Sequence, residues 1–132
     1  MGKMQQRETQ ENTEGKRKQS AKWQGDFLWQ FGFEQTFQMQ GYALLCARGD
    51  SMKPRILAGD LVFIRLGSEV QNGEYAAVSI DGQRAELFRV LRQKKGILLC
   101  PENRAFPMRF FPAREMPRLR IFGKVVKSMR NL

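Results

Sequence analysis

The stretch from residue 48 to residue 62, RGDSMKPRILAGDLV, decides what kind of domain this sequence encodes. Gly49 and Asp50 predict a tight turn that presents Ser51 at the end of a strand. A second Gly-Asp pair, at residues 59 and 60, predicts a turn into the next strand. A serine in a turn is ordinarily a turn former and nothing more. The segment therefore gains meaning only from the whole string and from the rest of the chain.

The residue inventory restricts the chemistry that Ser51 can perform. Histidine is absent, which excludes Ser-His-Asp and Cys-His mechanisms and most zinc sites. Cys46 and Cys100 are the only cysteines, and neither has the C-x-x-C spacing of a redox or metal site. Because each lies in an apolar run, buried thiols are expected rather than a disulfide. We therefore expect no metal and no cofactor. Any nucleophilic reaction at Ser51 needs a lysine as its base.

Length and composition place the chain in a broad class. The 132 residues, 42% of them apolar, predict one folded domain. No run of 18 apolar residues is present and no apolar stretch follows the N-terminal charges, so no membrane span and no secretory signal are predicted. A cytoplasmic protein without a membrane partner is the expectation.

Charge is distributed unevenly. The chain has 23 basic and 13 acidic residues, and the stretch 84–130 alone holds 13 Lys or Arg against three Asp or Glu. Such a surplus predicts an anionic partner, with nucleic acid the first candidate. The alternative, a solvated basic surface on an ordinary domain, stays open because the cations are scattered singly among apolar residues.

Composition divides the chain into three parts. Residues 1–22 are polar and predict a flexible leader. Residues 23–40 form an aromatic N-terminal arm, in which Phe27, Trp29, Phe31 and Phe33 alternate with other residues as on a strand. A helix is the competing interpretation, although two glycines weaken it. An arm of this kind is expected to lie on the body of the domain or on a partner subunit.

Residues 41–132 predict an all-β domain of short strands. YALLCA, LVFIRL, YAAVSI, GILLC and LRIFGKVVKSM are strand-like runs at spacings typical of β sandwiches and barrels. Asp81-Gly82 predicts a hairpin whose return strand covers about residues 84–91. The residues before this body contain no pair of helices that would form a helix-turn-helix.

The serine segment and three later ones resemble the LexA and UmuD self-cleaving family, which includes phage repressors of the lambda type and, more distantly, bacterial signal peptidases. The family motif G-D-S-M-x-P-x-I-x-x-G-D-x-V is matched at every specified position, by Gly49, Asp50, Ser51, Met52, Pro54, Ile56, Gly59, Asp60 and Val62. Residues 72–83, 98–103 and 119–130 are similar to later family segments, in the same order. The resemblance implies a LexA-like or signal-peptidase-like complex β fold.

The resemblance also implies a Ser–Lys dyad, in which Ser51 attacks a peptide bond in the chain's own N-terminal linker. Burial must lower the pKa of the lysine from about 10.4 before that lysine can act as a base. In the family, the lysine lies on the strand after the hairpin, in a pattern like T-x-K-R. Aligning Arg89 and Val90 with the pair after the lysine predicts that Phe88 occupies the lysine position and fills the cleft beside Ser51.

Two further observations point to a broken dyad. No neighbouring residue is expected to replace the missing base: Arg89 stays protonated, and Lys53 is tethered too close to Ser51. Lys94 and Lys95 lie roughly 20 Å along the strand at about 3.3 Å per residue, and only a bulge or register error would bring Lys94 near Ser51. The family cuts at Ala-Gly or Cys-Gly, and neither dipeptide precedes Ser51. Ala58-Gly59 lies inside the motif itself.

These observations lead to a regulatory or dimerisation domain of a LexA-type or phage-type repressor, or of a UmuD-like SOS protein, without standard Ser–Lys self-cleavage. The family pairs through its C-terminal strands, so a homodimer is expected, with an interface at Leu119, Ile121, Phe122 and Val125. One alternative is a Ser-dependent autopeptidase of the SOS response with a non-standard lysine. Another is a UmuD-like accessory that binds nucleic acid or a DNA polymerase, and a RecA-type filament is a further expected partner.

Overall fold

Short runs of alternating apolar residues make most of this chain a succession of strands. The computed structural model describes residue 28, residues 30–37 (34–37 by their backbone) and residues 41–130. The predicted leader and half of the predicted aromatic arm lie outside the described residues. Within that part of the chain, the strands are β1 (Phe33–Phe37), β2 (Tyr42–Cys46), β3 (Leu61–Leu66), β4 (Tyr75–Ile80), β5 (Glu86–Gln93), β6 (Gly96–Cys100), β7 (Arg109–Pro112) and β8 (Leu119–Met129), with a 3-10 helix at Ala113–Arg118.

The described strands form one antiparallel sheet in the order β1-β2-β3-β8-β4-β5-β6-β7. This confirms the predicted all-β class. Asp81 and Gly82 both have positive φ, 55° and 75°, and Gln83 donates its N–H to the carbonyl of Ile80 at 3.1 Å. The predicted Asp-Gly turn is therefore confirmed. The strand that follows begins at Glu86, slightly later than the predicted start.

Two apolar cores lie on opposite faces of the sheet. The first contains Leu45, Ile64, Ala77, Leu87 and Phe122 together with residues of the serine segment. The second collects the other apolar side chains of the β4–β7 half, which are Val70, Ala76, Val78, Phe88, Val90, Ile97, Leu99 and Phe111. Because successive side chains of a strand point to opposite faces, neighbouring residues of β4 and β5 contribute to different cores.

The described part of the aromatic arm is packed into the first core. The rings of Phe31 and Phe33 lie 4.9 Å and 5.1 Å from the ring of Phe122, and Leu28 is also buried. The predicted alternation does not continue as a strand here, because residues 30–32 form a turn and β1 begins only at Phe33. Gly32 lies in that turn with a φ of +89°, a conformation that glycine adopts without a steric penalty.

The predicted dimer interface stays a prediction, and the structure limits which of its residues a partner could reach. Strand β8 lies between β3 and β4: residues 123–129 pair with β3 and residues 119–124 pair with β4, so among the described residues only Gly123 and Lys124 are paired on both sides. Phe122 has 0% exposure and belongs to the first core. Leu119, Ile121 and Val125 are partly buried against the two cores. The sequence did not reveal this because a C-terminal strand inserted between two earlier strands leaves no local pattern.

No helix in the described residues is long and apolar enough to cross a membrane. Cys46 and Cys100 are both free thiols, as predicted. Burial raises the pKa of the Cys100 thiol.

Candidate active site

Ser51 lies on a loop that two backbone hydrogen bonds close at its neck. Ala47 donates its N–H to the carbonyl of Asp60 at 2.9 Å, and Gly59 donates to the carbonyl of Ala47 at 2.8 Å. Residues 48–58 therefore leave and return to the sheet at the same point, between β2 and β3. The Gly-Asp pair that the sequence placed at the end of this segment performs the closure.

Buried side chains hold the inside of the loop. Lys53 donates its N–H to the carbonyl of Asp50 at 3.2 Å, which makes a turn around Ser51. Met52 and Ile56 are 4% and 3% exposed and pack into the first core. Because the residue after Ser51 is anchored in this way, the position of the half-buried Ser51 is determined by the core of the domain.

Asn103 fixes the serine turn from the other side. Its backbone N–H donates to the carbonyl of Ser51 and its side-chain Nδ2 donates to the carbonyl of Asp50, both at 2.9 Å. The Asn103 Oδ1 in turn accepts the N–H of Ala105 at 2.9 Å. The loop before β7 is thus bound to two successive peptide groups of the serine turn.

Asp60 links the serine loop to the end of β8. Its side chain is 2% exposed, and both carboxylate oxygens accept hydrogen bonds from Arg130 at 2.9 Å. The N–H of Leu57 also donates to Asp60 Oδ2 at 2.9 Å. The Arg130 guanidinium and the Leu57 N–H hold the pKa of Asp60 below its usual range, although burial acts in the opposite direction. Asp60 is therefore a fully bonded buried carboxylate rather than a free acid or base.

A cleft of about 370 Å³ opens beside Ser51. Its walls are the end of β2, the serine turn, the start of β5 and the side chain of Phe106. Most of the lining is apolar, and its ionisable side chains are Cys46, Arg48, Asp50, Arg84 and Glu86. No lysine is among the described residues that line this cleft.

The structure places Phe88 away from this cleft. Phe88 is paired with Ala76 and belongs to the second core, on the opposite face of the sheet. Leu87, which is paired with Ala77, lines the cleft instead. If the T-x-K-R pattern is aligned from the hairpin forwards, Ala85 takes the threonine position and Leu87 the lysine position. The sequence alignment was anchored on the residues after the lysine and is shifted by one residue relative to the geometry.

The lysines discussed from the sequence lie elsewhere. Lys53 forms a half-exposed ion pair with Asp50 at 3.4 Å. Lys94 and Lys95 are exposed in the turn between β5 and β6. Arg89 donates to the hydroxyl of Tyr75 at 2.9 Å and to Glu102 at 3.1 Å. In the described part of the chain, no lysine therefore lines the cleft, and the amine of Lys53, the lysine nearest to Ser51 in sequence, is bonded to Asp50.

Next to the serine loop, Tyr75, Arg89 and Glu102 form a polar network that sequence reasoning did not identify. The hydroxyl of Tyr75 donates to Glu102 Oε1 at 2.9 Å. The hydrogen bond from Arg89 lowers the pKa of Glu102, whereas burial raises the pKa of Tyr75. The P-E-N segment was the available signal, because Glu102 holds this network and the adjacent Asn103 holds the serine turn.

Arg84 connects the arm to the rim of the cleft. Its guanidinium donates to the carbonyls of Gly32 at 3.4 Å and Cys46 at 3.2 Å. The N–H of Ala85 donates to the carbonyl of Phe31 at 2.9 Å. Phe31 and Gly32 of the arm are therefore bonded to two residues that line the cleft. A cluster of His, Cys, Asp and Glu able to hold a metal ion is not found among the residues that the structure describes.

Comparison with known proteins gives a consistent assignment. A family model described as Peptidase S24-like matches residues 3–126. The chain is 41% identical over 91 residues to a LexA repressor from Gluconacetobacter diazotrophicus, which covers 68% of this chain and 34% of that protein. It is 35% identical over 101 residues to a LexA repressor from Thermotoga sp. strain RQ2, which covers 74% and 49% respectively. The chain thus spans between a third and a half of the length of these relatives. This chain belongs to the Peptidase S24-like family.

Proposed function

We propose that this chain is the regulatory domain of a LexA-type repressor whose serine cleft binds peptide without cutting it by a Ser–Lys mechanism. The observation that carries the proposal is that Ser51 and Leu87 line the same cleft, which no described lysine lines. A leucine side chain has no lone pair to accept the serine proton. Without a base, the hydroxyl stays protonated and is a weak nucleophile.

The remainder of the cleft still suits a peptide. It is a concave, mostly apolar surface with a few polar side chains at its rim, which is the usual character of a binding site. Leu87 adds apolar surface where the family resemblance implies an amine. We infer that this exchange favours a stable complex with an uncut segment over turnover. The chain's own N-terminal residues are the first candidate occupant, because Phe31 and Gly32 are hydrogen-bonded to Ala85 and Arg84 at the rim of the cleft.

The proposal is tested with the full chain and its Ser51→Ala variant. Both are incubated at neutral pH and at pH 10, where any unrecognised lysine base would be neutral, and the products are measured by mass spectrometry. We expect no fragment that depends on Ser51 at either pH. A fragment formed by the unaltered chain and missing from Ser51→Ala would establish the alternative, a working autopeptidase with a non-standard lysine.

Homodimerisation is a separate part of the proposal. Phe122 is fully buried, so we place the contact at the end of β8, where Val126 and Met129 are 41% and 46% exposed. Light scattering during size-exclusion chromatography should give the mass of a dimer. A Val126→Asp variant should run as a monomer, and a monomeric unaltered chain at high micromolar concentration would refute the dimer.

A further inference from the structure

An exposed apolar row crosses the half of the sheet that ends at β7. Leu91 on β5 is paired with Leu98 on β6, and Leu98 is paired with Phe110 on β7. Directly paired residues of antiparallel strands project from the same face. Phe110 is 48% exposed and Met108, just before β7, is 63% exposed, while both leucines are half-buried. We call Leu91, Leu98, Met108 and Phe110 the apolar row.

The row differs from the scattered apolar residues that any surface carries. Leu87, Arg89 and Leu91 follow one another at every second position of β5, so the row and the cleft wall lie on the same face of the sheet. The Phe106 side chain, 41% exposed, lines the cleft and precedes Met108 by two residues. The row therefore lies on the same face of the sheet as the serine cleft, and Arg89, bonded to Tyr75 and Glu102, lies between Leu87 and Leu91.

Cations flank the row at both ends. Lys94 and Lys95 form the turn that follows β5 at one end, and Arg104 lies in the loop that precedes β7 at the other. All three are exposed, and none of them makes an ion pair with the residues described by the structure. The nearby carboxylate of Glu102 is already bonded to Arg89 and Tyr75. The described residues therefore do not neutralise the positive charge at this surface.

We propose that the apolar row binds an extended segment of a partner protein, with apolar residues at its centre and acidic residues at its ends. A second copy of this chain would bring its own lysines and arginines against the same cations, which disfavours self-association here. Single-stranded nucleic acid would satisfy the charges, but three of the four side chains in the row are aliphatic and bases stack best on rings. An acidic segment of about six to eight residues, at roughly 3.3 Å per residue, spans the row and reaches both ends.

The surface is independent of the chemistry at Ser51. The proposal would stand if Ser51 proved active, and its failure would leave the inactive dyad untouched. Interfaces usually owe most of their affinity to a few central side chains, so Phe110 and Met108 are the residues whose truncation should matter most.

The test uses the full chain and three fluorescein-labelled probes in fluorescence anisotropy. The first probe is the peptide Asp-Glu-Leu-Ile-Phe-Leu-Asp-Glu, the second is its twin with lysine at every acidic position, and the third is an oligothymidylate of similar length. We expect saturable binding of the acidic peptide, at least about tenfold weaker binding of the lysine twin, and a loss of affinity as salt is raised.

Variants then locate the binding surface. Met108→Ser and Phe110→Ser should each weaken binding of the acidic peptide by about tenfold, because both side chains are exposed and their loss leaves the core intact. The matched control is Leu61→Ser, an exposed leucine on β3 that lies outside the apolar row, which should change affinity less than about twofold. The Lys94→Gln, Lys95→Gln double variant should remove most of the salt dependence, with Lys127→Gln as its control.

Three results would overturn the proposal. The first is that the acidic peptide fails to bind, or binds Met108→Ser and Phe110→Ser as tightly as the unaltered chain. The second is that the oligothymidylate, and not the acidic peptide, depends on the row, which would assign the surface to nucleic acid. The third is a shift from dimer to monomer in Phe110→Ser, which would make the row a contact between two copies.

Discussion

Arg130 donates two hydrogen bonds of 2.9 Å to the carboxylate of Asp60, and so joins the end of β8 to the end of the serine loop. Asp60 is 2% exposed while Arg130 is 51% exposed. The pair therefore combines a carboxylate that cannot be hydrated with a cation that water partly screens. Because Asp60 also accepts the Leu57 N–H, its carboxylate ties the serine loop to the end of β8.

The Asp60 interaction predicts a specific acid sensitivity. Its pKa is lower in the folded chain than in the unfolded one, chiefly because Arg130 bonds to the carboxylate. The folded state therefore binds this proton less readily, so the stabilisation is complete above the unfolded pKa of about 3.9 and is lost as pH falls through the lower folded pKa. Asp60→Asn should lower Tm at neutral pH by about 5 °C and flatten the decline of Tm below about pH 4.

Circular dichroism during heating, at a series of pH values, measures this effect. The control is Asp50→Asn, because Asp50 is exposed and, among the described residues, forms an ion pair only with the nearby Lys53. A Tm profile for Asp60→Asn that runs parallel to that of the unaltered chain through the acid range would contradict the assignment.

The side-chain bonds of Asn103 predict that its loss loosens the serine turn and leaves the rest of the domain unchanged. Asn103→Ala removes the bond from Nδ2 to the Asp50 carbonyl and the bond that Oδ1 accepts from Ala105, while the backbone bond to Ser51 remains. We expect a loss of about 1 kcal/mol per bond and faster hydrogen exchange in residues 48–58. Asn103→Asp keeps only the acceptor, so it should restore the Ala105 bond and leave the serine turn mobile. Unchanged hydrogen exchange in residues 48–58 for both variants would show that the side-chain bonds of Asn103 are not needed to hold the serine turn.

The two neighbouring positions on β5 predict opposite outcomes for an introduced lysine. Leu87→Lys places an amine in the cleft beside Ser51, where burial lowers its pKa and makes it a base. It should confer cleavage of a supplied Ala-Gly peptide, and Ser51→Ala should abolish that cleavage. Phe88→Lys places the amine in the second core, so it should destabilise the domain without conferring activity. Cleavage by Phe88→Lys and not by Leu87→Lys would show that Phe88 occupies the lysine position, as the sequence alignment predicted.

Gly123 predicts a steric limit inside the sheet. A Cβ at this position would lie 1.9 Å from the carbonyl oxygen of Arg65 on β3, so β3 and β8 would have to separate. Gly123→Ala should therefore cost about 2 to 3 kcal/mol in chemical denaturation. Gly67→Ala is the control: its φ is +73° but nothing lies within 4 Å, so it should cost only about 1 kcal/mol. Equal losses in the two variants would mean that the close approach to Arg65 is unimportant.

Much of the fold could be predicted from local patterns in the sequence. The apolar runs predicted the strands, and Asp81-Gly82 predicted the hairpin turn that the structure contains. The serine turn was also predicted from Gly49 and Asp50. These features depend on residues that are close in the chain, where turn chemistry and side-chain alternation act directly.

Features that depend on distant residues were not predicted. Nothing near Phe122 indicates that its strand enters the middle of the sheet, and nothing near Asp60 indicates a partner at Arg130. The sequence alignment assigned Phe88 to the lysine position, whereas Leu87 lines the cleft, and this difference has another cause. Because side chains alternate between faces, an alignment error of one residue moves the wrong side chain into the cleft.

The position of β8 has a consequence for how the protein is made. It is the last described strand in the chain, yet it supplies the hydrogen-bonding partner for both β3 and β4. While the ribosome is still synthesising residues 119–129, those two strands have exposed backbone edges and Phe122 has not yet filled its place between the aromatic rings. The sheet can therefore form completely only after β8 has been synthesised. Before that point, the exposed strand edges make the nascent chain most prone to aggregate.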